Sequence, residues 1–213
     1  MWIWLLLFLL GAYHGLNPAM GWLFAVALGL QEKTDKAVIH SLLPLGLGHL
    51  MSVALVVGVA QAMRFTLPLG TVRIVAATVL VAFAIFRVVR RHHPRWVGMR
   101  VNSRELALWS FLMASAHGAG LMLLPFVLSL PQQSMPAGHH MMMAGAVIAA
   151  PMGATQGWLL VGLHTLGYLL VTALLALVVY HKLGLACLRR AWFNLDLLWV
   201  GGLLAMGVLT LVI

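Results

Sequence analysis

Three stretches of this chain, Met1 to Gln31, Ala37 to Met63 and Leu106 to His181, contain no Asp, Glu, Lys or Arg. A helix needs roughly 20 consecutive apolar residues to cross the hydrocarbon core of a bilayer. The first two stretches each suit one such helix, and the third is long enough for two and the turn between them. Only 8% of the residues are charged and 63% are hydrophobic, against roughly a quarter charged in a soluble domain. The sequence therefore predicts an all-α integral membrane protein of about six transmembrane helices, near 2–30, 38–62, 68–88, 105–130, 157–180 and 192–213. The first residues are apolar, with no basic n-region and no A-x-A cleavage site, so the first span is expected to be retained.

The formal charge of +9 resides in short connections between apolar spans. All but two of the 13 Lys and Arg fall in three groups: Lys33 and Lys36; Arg87, Arg90, Arg91, Arg95, Arg100 and Arg104; and Lys182, Arg189 and Arg190. These are the first, third and fifth connections, which share one side, and the positive-inside rule makes that side the cytoplasm. Arg64 and Arg73 are assigned to an opposite loop. Both termini and the neutral segment 131–156 are then extracytoplasmic, and Ala146 to Pro151 is apolar enough for a re-entrant turn. The basic residues mark topology, and the expected partner is membrane lipid, with no nucleic acid. Trp2, Trp4, Trp96, Trp158, Trp192 and Trp199 lie near span ends and read as interfacial anchors. Cys187 is the single cysteine, which excludes an internal disulfide and a thiolate-rich metal cage.

The two halves echo one another. Phe8-Leu-Leu-Gly-Ala-Tyr-His14-Gly in the first span is matched by Phe111-Leu-Met-Ala-Ser-Ala-His117-Gly in the fourth, and the sequence around His49 in the second span by that around His164 in the fifth. An odd number of spans reverses the starting side, so two three-helix halves would be inverted repeats, an arrangement used by many secondary transporters. The expected organisation is a first repeat at 1–90, a basic cytoplasmic loop at 91–104 and a second repeat at 105–213, with the Met/His-rich loop 131–156 inside it.

Polar groups deep in a membrane are costly unless they meet a partner or a wet cavity. His14, His49, His117 and His164 each need such an explanation. One is a hydrogen bond to a neighbouring helix that serves packing; the other is a joint site, since imidazole is both a transition-metal ligand and a proton carrier near neutrality. Their placement at matching positions favours the joint site. Asn17-Pro18 follows His14, and proline inside a helix removes a backbone hydrogen bond and breaks or kinks it. A helix broken at mid-membrane is tolerated where its freed groups line a cavity or bind an ion. Outside the spans, Met135 to Met143 holds four methionines and two histidines in nine residues. In it His139, His140, Met141, Met142 and Met143 form a candidate metal-capture loop.

At His14-Gly15-Leu16-Asn17-Pro18-Ala19-Met20 and Gly48-His49-Leu50 the chain resembles the nickel/cobalt transporter family, specifically its efflux-type branch. The family's first span carries histidine, alanine or glycine, leucine, an acid, proline, glycine and a second histidine. The resemblance covers residues 8–62 and implies His14 and His49 as metal ligands. Asn17 stands where the family has its acid and Met20 where it has its second histidine, and a thioether suits Cu(I) as imidazole suits nickel or cobalt.

The leading expectation is a membrane transporter of a transition-metal ion (copper, nickel or cobalt) in the cell inner membrane. Its site is built from His14, Met20, His49, His117 and His164, with Asn17 and Met122 as a second shell. The rivals are a membrane electron carrier with haem held by paired histidines, and an exporter of a small organic solute. No carboxylate pair or Ser-His-Asp set supports an enzyme. No P-loop is present, so ATP would enter only through partner subunits; a homo-oligomer stays open.

Overall fold

The computed structural model describes residues 2–89, 101–130, 152–183 and 195–212, with the side chains of 152–154, 183 and 195–198 excepted. The Met135–Met143 tract, most of the 91–104 loop, Trp96, Cys187 and Trp192 lie outside these residues. The described chain is helical throughout. α1 (Trp2–Leu16) stops where Pro18 cannot supply a backbone N–H, and a single 3₁₀ turn (Pro18–Met20) follows. Asn17 Oδ1 accepts from the Ala19 N–H at 3.0 Å and so caps that turn. α2 (Trp22–Glu32) resumes at once, and the Trp22 indole donates back to the Leu16 carbonyl at 3.2 Å, tying the two sides of the break together.

α3 (Asp35–Thr66) is capped by Thr34, whose hydroxyl accepts from Lys36 N–H. Its 32 residues extend about 48 Å at 1.5 Å per residue, beyond the roughly 30 Å of a bilayer core. α4 (Leu69–Val89) follows after a short turn. α5 (Ser103–His117) opens with a capping box between Asn102 and Glu105. It ends at Gly118, whose φ of 70° lies in the left-handed region that glycine enters without steric cost. After a 3₁₀ turn, α6 (Leu124–Ser129) leaves at an angle of 53° to α5. α7 (Met152–Val178) begins earlier than predicted and runs on into a π turn, Val179–Leu183. α8 (Leu195–Val212) is last.

Among the described residues three helices, α3, α4 and α7 with its π turn, are long and apolar enough to cross a membrane, and α5 with α6 makes a fourth if the bent pair is one span. α1, α2 and α8 are shorter apolar helices. The surface suits lipid. On α3, Leu43, Leu47, Met51, Leu55 and Val59 recur every four residues and are all exposed, an apolar stripe that water would not tolerate. The inward faces carry the polar residues: His14, His49, Ser52, Ser110, His117, His164 and Thr172 are buried.

The closest pairings are α1 with α7, α3 with α5, and α4 with α8. α3 and α5 are pinned by Ser110, which donates to the Leu45 carbonyl at 2.6 Å, and by Ser52 and Ser115 at 2.8 Å.

Two expectations need correction. Arg64 does not sit in a loop: α3 continues through it, and its buried guanidinium donates to the carbonyls of Val127 at 2.9 Å and Leu130 at 2.8 Å. Those carbonyls belong to the C-terminal end of α6, which lacks the next helical turn to satisfy them. Arg73 likewise lies within α4. Trp199 is not an interfacial anchor; it is 1% exposed and packed at the centre. Trp2 and Trp158, in contrast, are exposed. Arg64→Met should destabilise the fold by about 2 to 3 kcal/mol, the scale of hydrogen bonds from a charged donor. Arg64→Lys, which cannot span both carbonyls, should recover only part of this. Thermal unfolding in detergent measures both, and an unchanged midpoint for Arg64→Met would rule out the capping role.

Candidate metal centre

His14 lies one turn before the break in α1, and its Nδ1–H donates to the carbonyl of Leu10 at 2.7 Å. That bond assigns the proton to Nδ1 and leaves the Nε2 lone pair available. His164, on α7, donates Nδ1–H to the Leu7 carbonyl of α1 at 3.3 Å, across the tightest crossing in the molecule. His49, on α3, has neither ring nitrogen hydrogen-bonded and instead lies face to face with Tyr168 at 4.0 Å. The Nε2 atoms of His14 and His164 are also buried without a hydrogen-bond partner.

Three helices thus bring three imidazoles together. Ring centroids are 4.9 Å apart for His14 and His164, 5.4 Å for His49 and His164, and 5.7 Å for His14 and His49. All three residues are fully buried. Buried polar atoms in folded proteins are nearly always satisfied, so several imidazole nitrogens left bare at one place make the cluster a candidate ligand site. Donation of the second ring N–H to a backbone carbonyl is also the usual way a metal-binding histidine is oriented.

The separations suit one ion, because three imidazoles at metal–nitrogen distances of about 2.0 to 2.1 Å place their centroids about 5 Å apart. The orientations do not yet. His49 lies within 19° of parallel to His164, and His14 is steeply inclined to both rings. Accordingly, no group of three or more His, Cys, Asp or Glu among the described residues is arranged to hold a metal ion as it stands.

Trp199 of α8 packs edge to face against His14 at 4.3 Å and against His117 at 5.4 Å, and stacks on Tyr13 at 5.1 Å. Its indole N–H donates to the His117 carbonyl. His117 repeats the local arrangement of His14, with Nδ1–H donating to Met113 one turn back at 2.8 Å, immediately before a helix break. Ring contacts join His14, His49 and His164 directly, and Trp199 touches both His14 and His117.

Of the other expected residues, Met20 is buried in the apolar cluster with Leu7, Met113 and Tyr168. Its carbonyl accepts from the Tyr168 hydroxyl at 2.6 Å, so the break in the first span is linked to the ring on which His49 rests. Asn17 is occupied as the cap of the 3₁₀ turn. Met122 packs with Leu80, Ala84, Trp199 and Leu203. His139, His140 and Met141 to Met143 lie outside the described residues. Sequence reasoning missed Tyr168, Trp199 and Tyr13. Tyr168 follows His164 by one helical turn and so shares its face, a signal that was present.

Comparison with known protein families, with curated proteins and with solved structures finds no match to this chain.

Proposed function

We propose that the chain is a multi-pass membrane transporter of a transition-metal ion, copper, nickel or cobalt, with His14, His49 and His164 as its central ligands. The observation that carries this reading is the convergence of three fully buried imidazoles, two of them with Nδ1 committed to backbone carbonyls and Nε2 left without a partner. His117, which shares the Trp199 contact with His14, is proposed to receive or hand on the ion.

Two inverted three-helix halves would supply the motion. Exchanging the halves maps α1 onto α5, α3 onto α7 and α4 onto α8. The pairing of α1 with α7 then becomes that of α5 with α3, and α4 with α8 maps onto itself, which are the three main pairings. Helix breaks directly after His14 and His117 follow the same correspondence. Rocking of such halves about a central site is the usual route to alternating access. Metal flux into or out of proteoliposomes, compared between the natural chain and His14→Ala, tests the function; histidine-independent flux of copper, nickel and cobalt would dismiss it.

The topology makes a separate prediction. Single cysteines introduced at 92–103 should react with an impermeant maleimide only from the cytoplasmic side, and those at 132–140 only from outside, because the basic residues are so unequally divided. Labelling of both segments from the same side would remove the inverted arrangement.

A further inference from the structure

We infer that the three-histidine site takes a monovalent soft cation, of the Cu(I) or Ag(I) type, in preference to the divalent ions nickel and cobalt. The inference rests on the reading of this cluster as the transport site and narrows its substrate.

Charge is the first ground. The chain has four carboxylates, Glu32, Asp35, Glu105 and Asp196. Glu32 is the last residue of α2, and Asp35 opens α3 with its carboxylate 3.1 Å from His181 at the helix ends. Glu105 is held in the capping box of α5. None of these three reaches the buried rings. Asn17, which adjoins the break beside His14, is neutral and commits its oxygen to the Ala19 N–H. The described donors are thus neutral imidazoles, and the bound ion keeps its whole charge inside the protein. The cost of moving an ion from water into a low-dielectric interior grows with the square of its charge, so a divalent ion faces roughly four times the penalty of a monovalent one.

Coordination is the second ground. The rings are bordered by the faces and edges of Tyr168, Trp199 and Tyr13 and by Leu7, and the donors the described cluster offers are imidazole nitrogens. Cu(I) and Ag(I) are satisfied by two or three ligands. Nickel and cobalt seek four to six, commonly completed by carboxylate or water oxygen. An aromatic shell offers neither in quantity, and it also keeps the site dry, which raises the charge penalty further.

The test is equilibrium dialysis of the full chain in detergent, in a Cys187→Ser background that removes the thiol. Silver(I), which needs no reductant, is the probe for the monovalent class, beside nickel(II) and cobalt(II). The expected result is one equivalent of Ag(I) retained by the background protein and lost in both His14→Ala and His164→Ala. Its affinity should exceed that for nickel or cobalt by roughly a hundredfold or more. Subtraction between variants removes binding by the methionine tract, and a symmetric size-exclusion peak confirms that each variant is folded. Asp196→Asn should leave silver retention unchanged. Histidine-dependent retention of nickel or cobalt as tight as that of silver, or dependent on Asp196, would overturn the monovalent preference while keeping the transport site. Retention of none of the three in a histidine-dependent way would overturn both.

Discussion

Replacing His164 with alanine is expected to lower metal affinity by at least roughly a hundredfold, since losing even a group that orients a ligand costs 10- to 100-fold and His164 is proposed as a ligand itself. The amount of folded protein in the membrane should change little. The ring contributes one interhelical hydrogen bond, to the Leu7 carbonyl, and such bonds within membranes are worth about 1 kcal/mol. Leu7 O also belongs to α1 and keeps its helical environment. A packing histidine predicts the opposite pair of outcomes, lower abundance with normal flux per molecule. Measuring flux and abundance together in His164→Ala separates the two roles, and normal flux per molecule would remove His164 from the site. Tyr168→Phe is the companion variant: it keeps the ring against His49 and deletes the hydroxyl, which donates to the Met20 carbonyl. With the ring retained, it should leave affinity largely intact even though the hydroxyl's contacts with Ser110 and Thr172 are lost as well.

Gly11→Val should be among the most damaging single changes in the chain. α1 crosses α7 at this residue, and a Cβ there would run into the main-chain carbonyl of His164 and lie 3.1 Å from the backbone nitrogen of Tyr168. Backbone atoms cannot swing aside as a side-chain tip can. Overpacking against flexible neighbours costs about 1 to 3 kcal/mol, and a rigid main-chain contact should exceed this range. The same crossing sets the separation of His14 and His164, so any protein that folds with the helices spread apart should also fail to bind metal. The expected result is loss of monodisperse protein in detergent for Gly11→Val, with Gly11→Ala intermediate. Natural abundance and natural affinity in Gly11→Val would show that the crossing is not as close as described.

Much of the architecture could be read from local chemistry. Long uncharged stretches became helices because nothing in them satisfies a backbone in lipid other than the helix itself. The break after Leu16 was visible because proline removes a specific hydrogen bond. The matching break after His117 was not, since it depends on Gly118 in a left-handed conformation, and glycine alone in an apolar run signals close packing as readily as a turn. Arg64 was misplaced for a related reason. A lone arginine at the end of an apolar run looks like a loop, and only the position of α6 reveals which carbonyls it caps.

The histidines show the same divide. Their pairing by position was legible in the repeat, and so was their cost in an apolar setting. The contact of Trp199 with both His14 and His117 was not, because it is set by how α8 packs against α1 and α5. Met20 was singled out by its place in a motif, yet the structure links it to the site through its main-chain oxygen. Side-chain type carries no information about that contact.

His14, His49 and His164 are proposed to converge on one ion, which X-ray absorption at the metal edge of the loaded, Cys187→Ser protein can detect. Imidazole rings give a characteristic multiple-scattering pattern that can be counted. The expected spectrum shows three imidazoles per ion, with metal–nitrogen distances of about 2.0 Å, falling to two in His49→Ala. A spectrum dominated by sulfur, or one with no imidazole scattering that changes among the three histidine variants, would contradict it.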